Sequence, residues 1–311
     1  MSGVVVVGQV ARDLVLGVEE LPEAGGSTDV LERQELLGGK GANQAVACRQ
    51  LGATVRLVGV VGDDRAGEEV LAQAAGDGID VGAVVRRPGA PTALLVDLVG
   101  PRGVRRLLED VDPRMLLGAE DVRACAEAVR SADAVLVQLQ QPGPAVLEAL
   151  AAAGAGGALT VADGAPADGA VRRRVLDAAA VVRADTAEAG ALVGWAPRDV
   201  PGTVRAARSL LAEGPRVVAL ATGDGDVVAW PGGHVVLPHL DEDPVDPTGA
   251  GDSFVAALTV ALLRGESPES AAWWAAAAAA EVVGTAGGRP DLDLARLRGT
   301  AARARRAGGR R

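Results

Sequence analysis

Apolar runs and helical patterns alternate along almost the whole chain. Runs such as Val135-Leu136-Val137 and Val217-Val218-Ala219-Leu220 show no polar alternation, as expected of strands buried on both faces. Strands are expected near residues 3–8, 55–61, 134–139, 158–162, 180–183, 216–221 and 226–230, with another at His234–Pro238. Helices are expected near 42–52, 65–76, 119–130, 143–154, 168–178, 200–213, 250–264, 268–284 and 292–306. This alternation predicts an α/β fold: a central, mostly parallel sheet flanked by helices on both faces. Gly and Pro punctuate the joints, as in Gln141-Pro142-Gly143-Pro144.

Two stretches, about 12–37 and 84–112, lack long helical periodicity and hold short alternating segments, Leu14-Val15-Leu16 and Ala93–Val99. They read as a small β excursion forming a lid, because ligand sites in doubly wound sheets lie at strand C-termini and need covering. There is no internal repeat or long linker, so residues 1–311 read as a single domain ending in an Arg-rich tail at 304–311.

Composition narrows the partners. The apolar fraction of 49% supports a full core, and the 2% aromatic share means that core is built from Val, Leu and Ala. The net charge of −10 argues against a nucleic-acid or anionic-membrane surface. Cys48 and Cys125 read as two buried free thiols in a reducing cytoplasm. Val4–Val7 reads as a buried strand and not a signal peptide, and Ala271–Ala280 is too short to span a bilayer. Trp273 and Trp274, within that stretch, read as core packing rather than as the border of a ligand.

Chemistry concentrates in two Gly-rich segments. Gly38-Gly39-Lys40-Gly41-Ala42-Asn43-Gln44 contains the only lysine and the only asparagine of the chain. Its glycines allow close backbone approach, and Lys40 and Asn43 offer donors to a polyhydroxylated ligand. It is not a Walker A loop, since no Ser or Thr follows Lys40. The second segment, Asp246–Phe254, places Gly249-Ala250-Gly251-Asp252 at the start of a helix and carries the only phenylalanine. The unpaired first N–H groups of a helix, with its dipole, form an anion site. A carboxylate beside such a site suits a base that takes a proton from an attacking hydroxyl while the N–H groups hold the charge on a transferred group.

Asp246-Pro247-Thr248-Gly249-Ala250-Gly251-Asp252 resembles a signature of the ribokinase-like (PfkB-type) carbohydrate kinases, with Pro247 where Thr is usual. Gly38–Ala47 resembles that family's other signature, in the form typical of ribokinases. Val4–Gly8 with Asp13, Gly59–Gly67, Gln138-Leu139-Gln140, Ala221-Thr222-Gly223 and Gly284–Pro290 extend the resemblance over nearly the whole chain. The resemblance implies ATP-dependent phosphorylation of a hydroxymethyl group on a small sugar, ribose or a similar monosaccharide. It implies that Asp13, Gly39, Lys40 and Asn43, joined by Gln140, hold the sugar. Asp252 would be the base, and the N–H groups of Gly249, Ala250 and Gly251 would stabilise the phosphoryl group. Nucleotide contacts fall to Asp185, Ala221, Thr222, Gly223, Gly225 and Gly251. Mg²⁺ would be reached by Asp185 or Glu188 through water, and a monovalent cation such as K⁺ would lie near Asp246 and Thr248. The lid strands would pair two copies into a homodimer.

The chain also departs from the family pattern. Arg183-Ala184-Asp185-Thr186 stands where the family has Asn-x-x-Glu, Ala11 where it has Asn, and Gln140 where it has Glu. Asp226 replaces the last Gly of a Thr-x-Gly-x-x-Gly turn, with Gly225 beside it. Two alternatives stay open at this point: a nucleoside kinase of the same fold, and a non-catalytic sugar- or nucleotide-binding descendant.

Overall fold

Strand β1 (Gly3–Val7) shows how composition dictates position. Val4 and Val6 join one hydrophobic cluster, and Val5 and Val7 join a second. Strands β9 (Ala134–Gln138) and β12 (Val217–Thr222) divide the same way, Leu136 and Ala219 against Val135 and Val218. Successive side chains of a strand point to opposite faces, so each strand supplies two interiors at once and must be apolar throughout. The computed structural model describes residues 3–100, 104–240, 248–284 and 288–308.

The main sheet holds eight strands in the order β14-β13-β12-β11-β10-β9-β1-β4. The others are β4 (Thr54–Val58), β10 (Leu159–Asp163), β11 (Val181–Ala184), β13 (Gly225–Trp230) and β14 (Gly233–Pro238). From β4 to β12 all neighbours run parallel; β13 and β14 are antiparallel. One face carries α1 (Lys40–Gln50), α2 (Arg65–Gly76), α9 (Ala250–Leu263), α10 (Pro268–Val282) and α11 (Leu294–Gly308). The other carries α3 (Ala119–Ala124), α4 (Ala126–Arg130), α5 (Gly143–Gly156), α6 (Gly169–Ala178), α7 (Thr186–Val193) and α8 (Val200–Leu211).

The stretches at 12–37 and 84–112 build a separate four-stranded sheet, β3-β2-β7-β8. It comprises β2 (Ala11–Val18), β3 (Val30–Gly38), β7 (Leu94–Val99) and β8 (Arg105–Asp110). Its register pairs Asp13 with Leu95 and Leu95 with Glu109, then Asp97 with Leu107 and Val99 with Arg105. The period of two therefore sets Asp13, Asp97, Arg105, Leu107 and Glu109 on one face.

Several expectations need correction. The strand expected at 55–61 is two: the chain turns at Gly59, and β5 (Val60–Gly62) leaves to pair with β6 (Val85–Arg87). The helix expected at 119–130 breaks at Cys125, whose φ of −111° and ψ of 15° lie outside the helical range. That thiol is half-buried and not buried, while Cys48 is fully enclosed. Helix α7 was not expected from periodicity. Its signal is a capping box, in which Asp185 accepts from the Glu188 N–H and Glu188 accepts from the Asp185 N–H. Helix α1 starts at Lys40, two residues before the expected 42. Trp273 and Trp274 lie in the core, with the Arg298 guanidinium 4.8 Å from the Trp274 ring centre. Among the described residues no helix is long and apolar enough to cross a membrane.

Leu136 is fully enclosed in the middle of the sheet. Leu136→Ala is expected to cost about 2–5 kcal/mol, read as a lower urea midpoint at unchanged m-value; a midpoint within error of wild type would refute this packing.

Candidate active site

Parallel strands end on a common edge of the sheet. Strand order reverses at β1, which lies between β4 and β9, and open α/β sheets bind ligands at such switch points. Gln9 follows β1, Gln138 ends β9, Asp163 ends β10, and Arg183 lies at the end of β11, with Asp185 just beyond it. Two helices begin at the same edge. The residue preceding α1 is Gly39 and that preceding α9 is Gly249, with φ of 85° and 74°, a left-handed backbone that favours glycine.

A cavity of about 370 Å³ opens here. It gathers Asp13, Gly39, Lys40, Asn43 and Gln140 with Thr248, Gly249, Gly251 and Asp252, so residues from both Gly-rich segments and the second sheet meet. Asp185 reaches the same cavity. A second cavity, about 260 Å³, is lined by Ala221, Gly225, Asp226, His239, Ala250 and Phe254. Thr222 and Gly223 lie at the β12–β13 turn between Ala221 and Gly225 but do not line it. Asp246 lies outside the described residues, as do 241–245, Pro247 and 285–287 of the expected cation-site loop.

A chain of buried polar contacts ties these elements together. Asp252, 6% exposed, accepts from Asn43 Nδ2 at 3.3 Å and from Gln44 Nε2 at 3.1 Å. Gln44 Nε2 also donates to Asp163 Oδ2 at 2.8 Å, and Arg183 Nη1 donates to Asp163 Oδ1 at 3.2 Å. Burial, then the neighbouring Asp163 carboxylate, pushes the pKa of Asp252 up to about 7, against the pull of Lys40, the Gln44 hydrogen bond and Arg183. Asn43 lines the cavity, and its buried Oδ1 has no hydrogen-bond partner among the described residues.

Asp13 is equally enclosed. Its carboxylate occupies the space a side chain at Gly38 would need: a Cβ there would stand 1.8 Å from the Asp13 carboxyl carbon. Burial, then Asp97, raises its pKa to about 7, with Arg105 pulling the other way. Arg105 is itself held by an ion pair to Asp97. Lys40 Nζ lies 3.7 Å from Glu188 Oε1, and Gln140 Nε2 donates to the same oxygen at 3.4 Å.

Sequence reasoning did not single out Gln44, Asp163, Asp97, Arg105 or His239. Asp163 was within reach, since a carboxylate at the C-terminal end of an apolar strand points to the ligand edge. Asp97 and Arg105 carry no local signal and become visible only through the register of β7 and β8.

Among the described residues, no group of three or more His, Cys, Asp or Glu could hold a metal ion. Glu188 is engaged by its helix cap, by Lys40 and by Gln140. Asp185 lies on the cavity wall and fits a Mg²⁺ ion that keeps most of its waters and needs few protein carboxylates.

The family model for the pfkB family carbohydrate kinases matches residues 1–294. The chain belongs to that family. As a pfkB kinase it is a phosphotransferase acting on a sugar hydroxyl. It is 31% identical over 276 residues to the ribokinase of Bacillus subtilis, covering 87% of this chain and 89% of that one. It is 29% identical over 264 residues to a bifunctional ribokinase/ribose-5-phosphate isomerase A of Fructilactobacillus sanfranciscensis, covering 84% of this chain and only about half (49%) of that protein's length. Its fold matches the solved ribokinase of Arabidopsis thaliana complexed with ribose and ATP, with a TM-score of 0.79 and 27% identity over 96% of this chain and 99% of that one. The central, mostly parallel sheet with helices on both faces is thus the ribokinase-like fold.

Asp13 and Asp252 have pKa values raised from 3.8 to about 7. Between those values the folded state holds more protons than the unfolded state, so its stability falls as pH rises across the interval. The melting temperature of the free kinase is expected to decline from about pH 4 to about pH 7 and then level, with a flatter profile in Asp252→Asn and Asp13→Asn. A wild-type profile that rises over this range would refute the assignment.

Proposed function

We propose that this pfkB kinase transfers the γ-phosphoryl group of ATP to a hydroxymethyl group of a small sugar, with ribose or a similar monosaccharide as substrate. The observation that carries the reading is Asp252. It is an enclosed carboxylate with a pKa raised to about 7, at the first turn of α9, facing a cavity that also holds Asp13, Lys40 and Asn43. A base works best when its pKa lies near the working pH.

In this reading Asp13, Gly39, Lys40 and Asn43 orient the sugar by hydrogen bonds to its hydroxyls, with Gln140 at the cavity edge. Asp252 takes the proton of the attacking hydroxyl; the oxygen forms its bond to the γ-phosphorus as the bond to the β–γ bridging oxygen breaks, and ADP leaves. The N–H groups of Gly249, Ala250 and Gly251 hold the charge on the moving group. The nucleotide lies toward Ala221, Thr222, Gly223 and Gly225, with Asp185 beside its phosphates. Bound Mg²⁺ would neutralise those phosphates, and Asp185 would reach it through water. Thr248 and Asp246 are the proposed neighbours of a monovalent cation such as K⁺.

The β3-β2-β7-β8 sheet is the proposed lid, since Asp13, Asp97, Arg105 and Leu107 on it line the sugar cavity. Its strands β3 and β8 also expose Val30, Leu31 and Leu108, which supports a homodimer formed through this sheet.

A panel of pentoses, hexoses and nucleosides scored by ADP release tests the substrate class; turnover confined to nucleosides would replace the sugar reading, and none at all would overturn it. Asp252→Asn is expected to lower kcat by roughly 10²–10⁴ with little change in sugar binding, and activity within a few-fold of wild type would remove the base. In wild type, kcat/KM is expected to rise with pH to a plateau above an apparent pKa near 7, as deprotonation of Asp252 requires. Lys40→Ala is expected to weaken sugar affinity; a change in melting temperature alone would make Lys40 structural.

A further inference from the structure

Two residues, Arg183 and Gly251, line both the sugar-side cavity and the second cavity. The junction between the cavities is therefore walled by a guanidinium on one side and the α9 start on the other. The contact is close: a Cβ built on Gly251 would stand 2.4 Å from Arg183 Nη2 and 2.8 Å from Nη1. Only a residue without a side chain leaves room for the guanidinium there.

Arg183 is 12% exposed, and its partner Asp163 is 2% exposed. A structural ion pair would account for the Nη1 contact to Asp163. It does not account for Nε, which is buried and has no hydrogen-bond partner among the described residues. An enclosed N–H without an acceptor is costly. The surroundings are acidic as well. Asp163, Asp226 and Glu188 all act on Arg183, and Asp252 stands across the cavity. A phosphoryl group entering this junction would meet repulsion from every one of them.

We propose that Arg183 is a catalytic residue of this kinase: its guanidinium donates to the non-bridging oxygens of the phosphoryl group as that group crosses from the nucleotide cavity to the sugar cavity. The role rests on the kinase reading above. No atom of Arg183 is exchanged. The proton of the sugar hydroxyl goes to Asp252, and the leaving electron pair goes to ADP. The planar fork of an arginine suits a group whose charge is spread over three oxygens, which the point charge of a lysine does not match.

The test is steady-state kinetics with ATP and the sugar that gives the highest wild-type turnover. Arg183→Ala is expected to lower kcat about 10²–10³-fold, with KM for the sugar changed by only a few-fold. Low-millimolar guanidinium chloride should restore at least a tenth of the lost rate in this variant, and should restore none in Asp252→Asn. Arg183→Lys, which keeps a cation beside Asp163, is expected to hold the melting temperature while remaining at least ten-fold slow. An Arg183→Ala protein that retains kcat within three-fold overturns the proposal. So does a loss that guanidinium leaves unchanged, or an Arg183→Lys protein as fast as wild type. A wild type that phosphorylates nothing in the panel overturns the kinase reading instead, and the role of Arg183 with it.

Discussion

The line of buried contacts from Arg183 through Asp163 and Gln44 to Asp252 is the constraint on which the rest of the site depends. It joins β11, β10, α1 and α9, four elements drawn from residues 40 to 263. Each polar group on it is enclosed, so each needs its neighbour in place. Gln44 is the pivot, because a single amide nitrogen reaches both carboxylates. Without it, the Asp163–Asp252 repulsion would be offset only from the sides, by Arg183 at Asp163 and by Asn43 and Lys40 at Asp252. The ion pair at one end and the Asp252 carboxylate at the other are then parts of one electrostatic unit, and neither can be tuned alone.

The two Gly-rich segments were legible as walls of one cavity because their signals are local. A helix start, glycines beside it and a carboxylate in its first turn are all contained in Gly249–Asp252, and Lys40 with Asn43 lie within one turn of another helix. The main sheet was legible for a related reason: strands with two buried faces cannot hide their composition. The breaks at Gly59 and Cys125 were less so, since apolar residues continue across both while the backbone changes direction. Helix α7 is short and has few core positions, so its periodicity is weak, although its capping box is written in Asp185 and Glu188.

Asp97 and Arg105 mark the limit of that approach. Their meaning comes from β7 and β8 lying next to β2, an arrangement set by long-range pairing and not by any neighbour in sequence. Arg183 is a different case. Its departure from the family pattern was visible, but whether a cation at that place obstructs the site or serves it depends on where the guanidinium rests, and only the contact with Gly251 shows that.

Helix α10 has a mechanical consequence. It packs against α9 with Ala271, Ala272 and Ala275 to Ala278 buried or nearly so. Alanine has no rotamers, so the alanines of α10 add no side-chain freedom with which to absorb a shift of α9. The N-terminus of α9, which faces the cavity, is therefore backed by the least chemically distinctive segment of the chain.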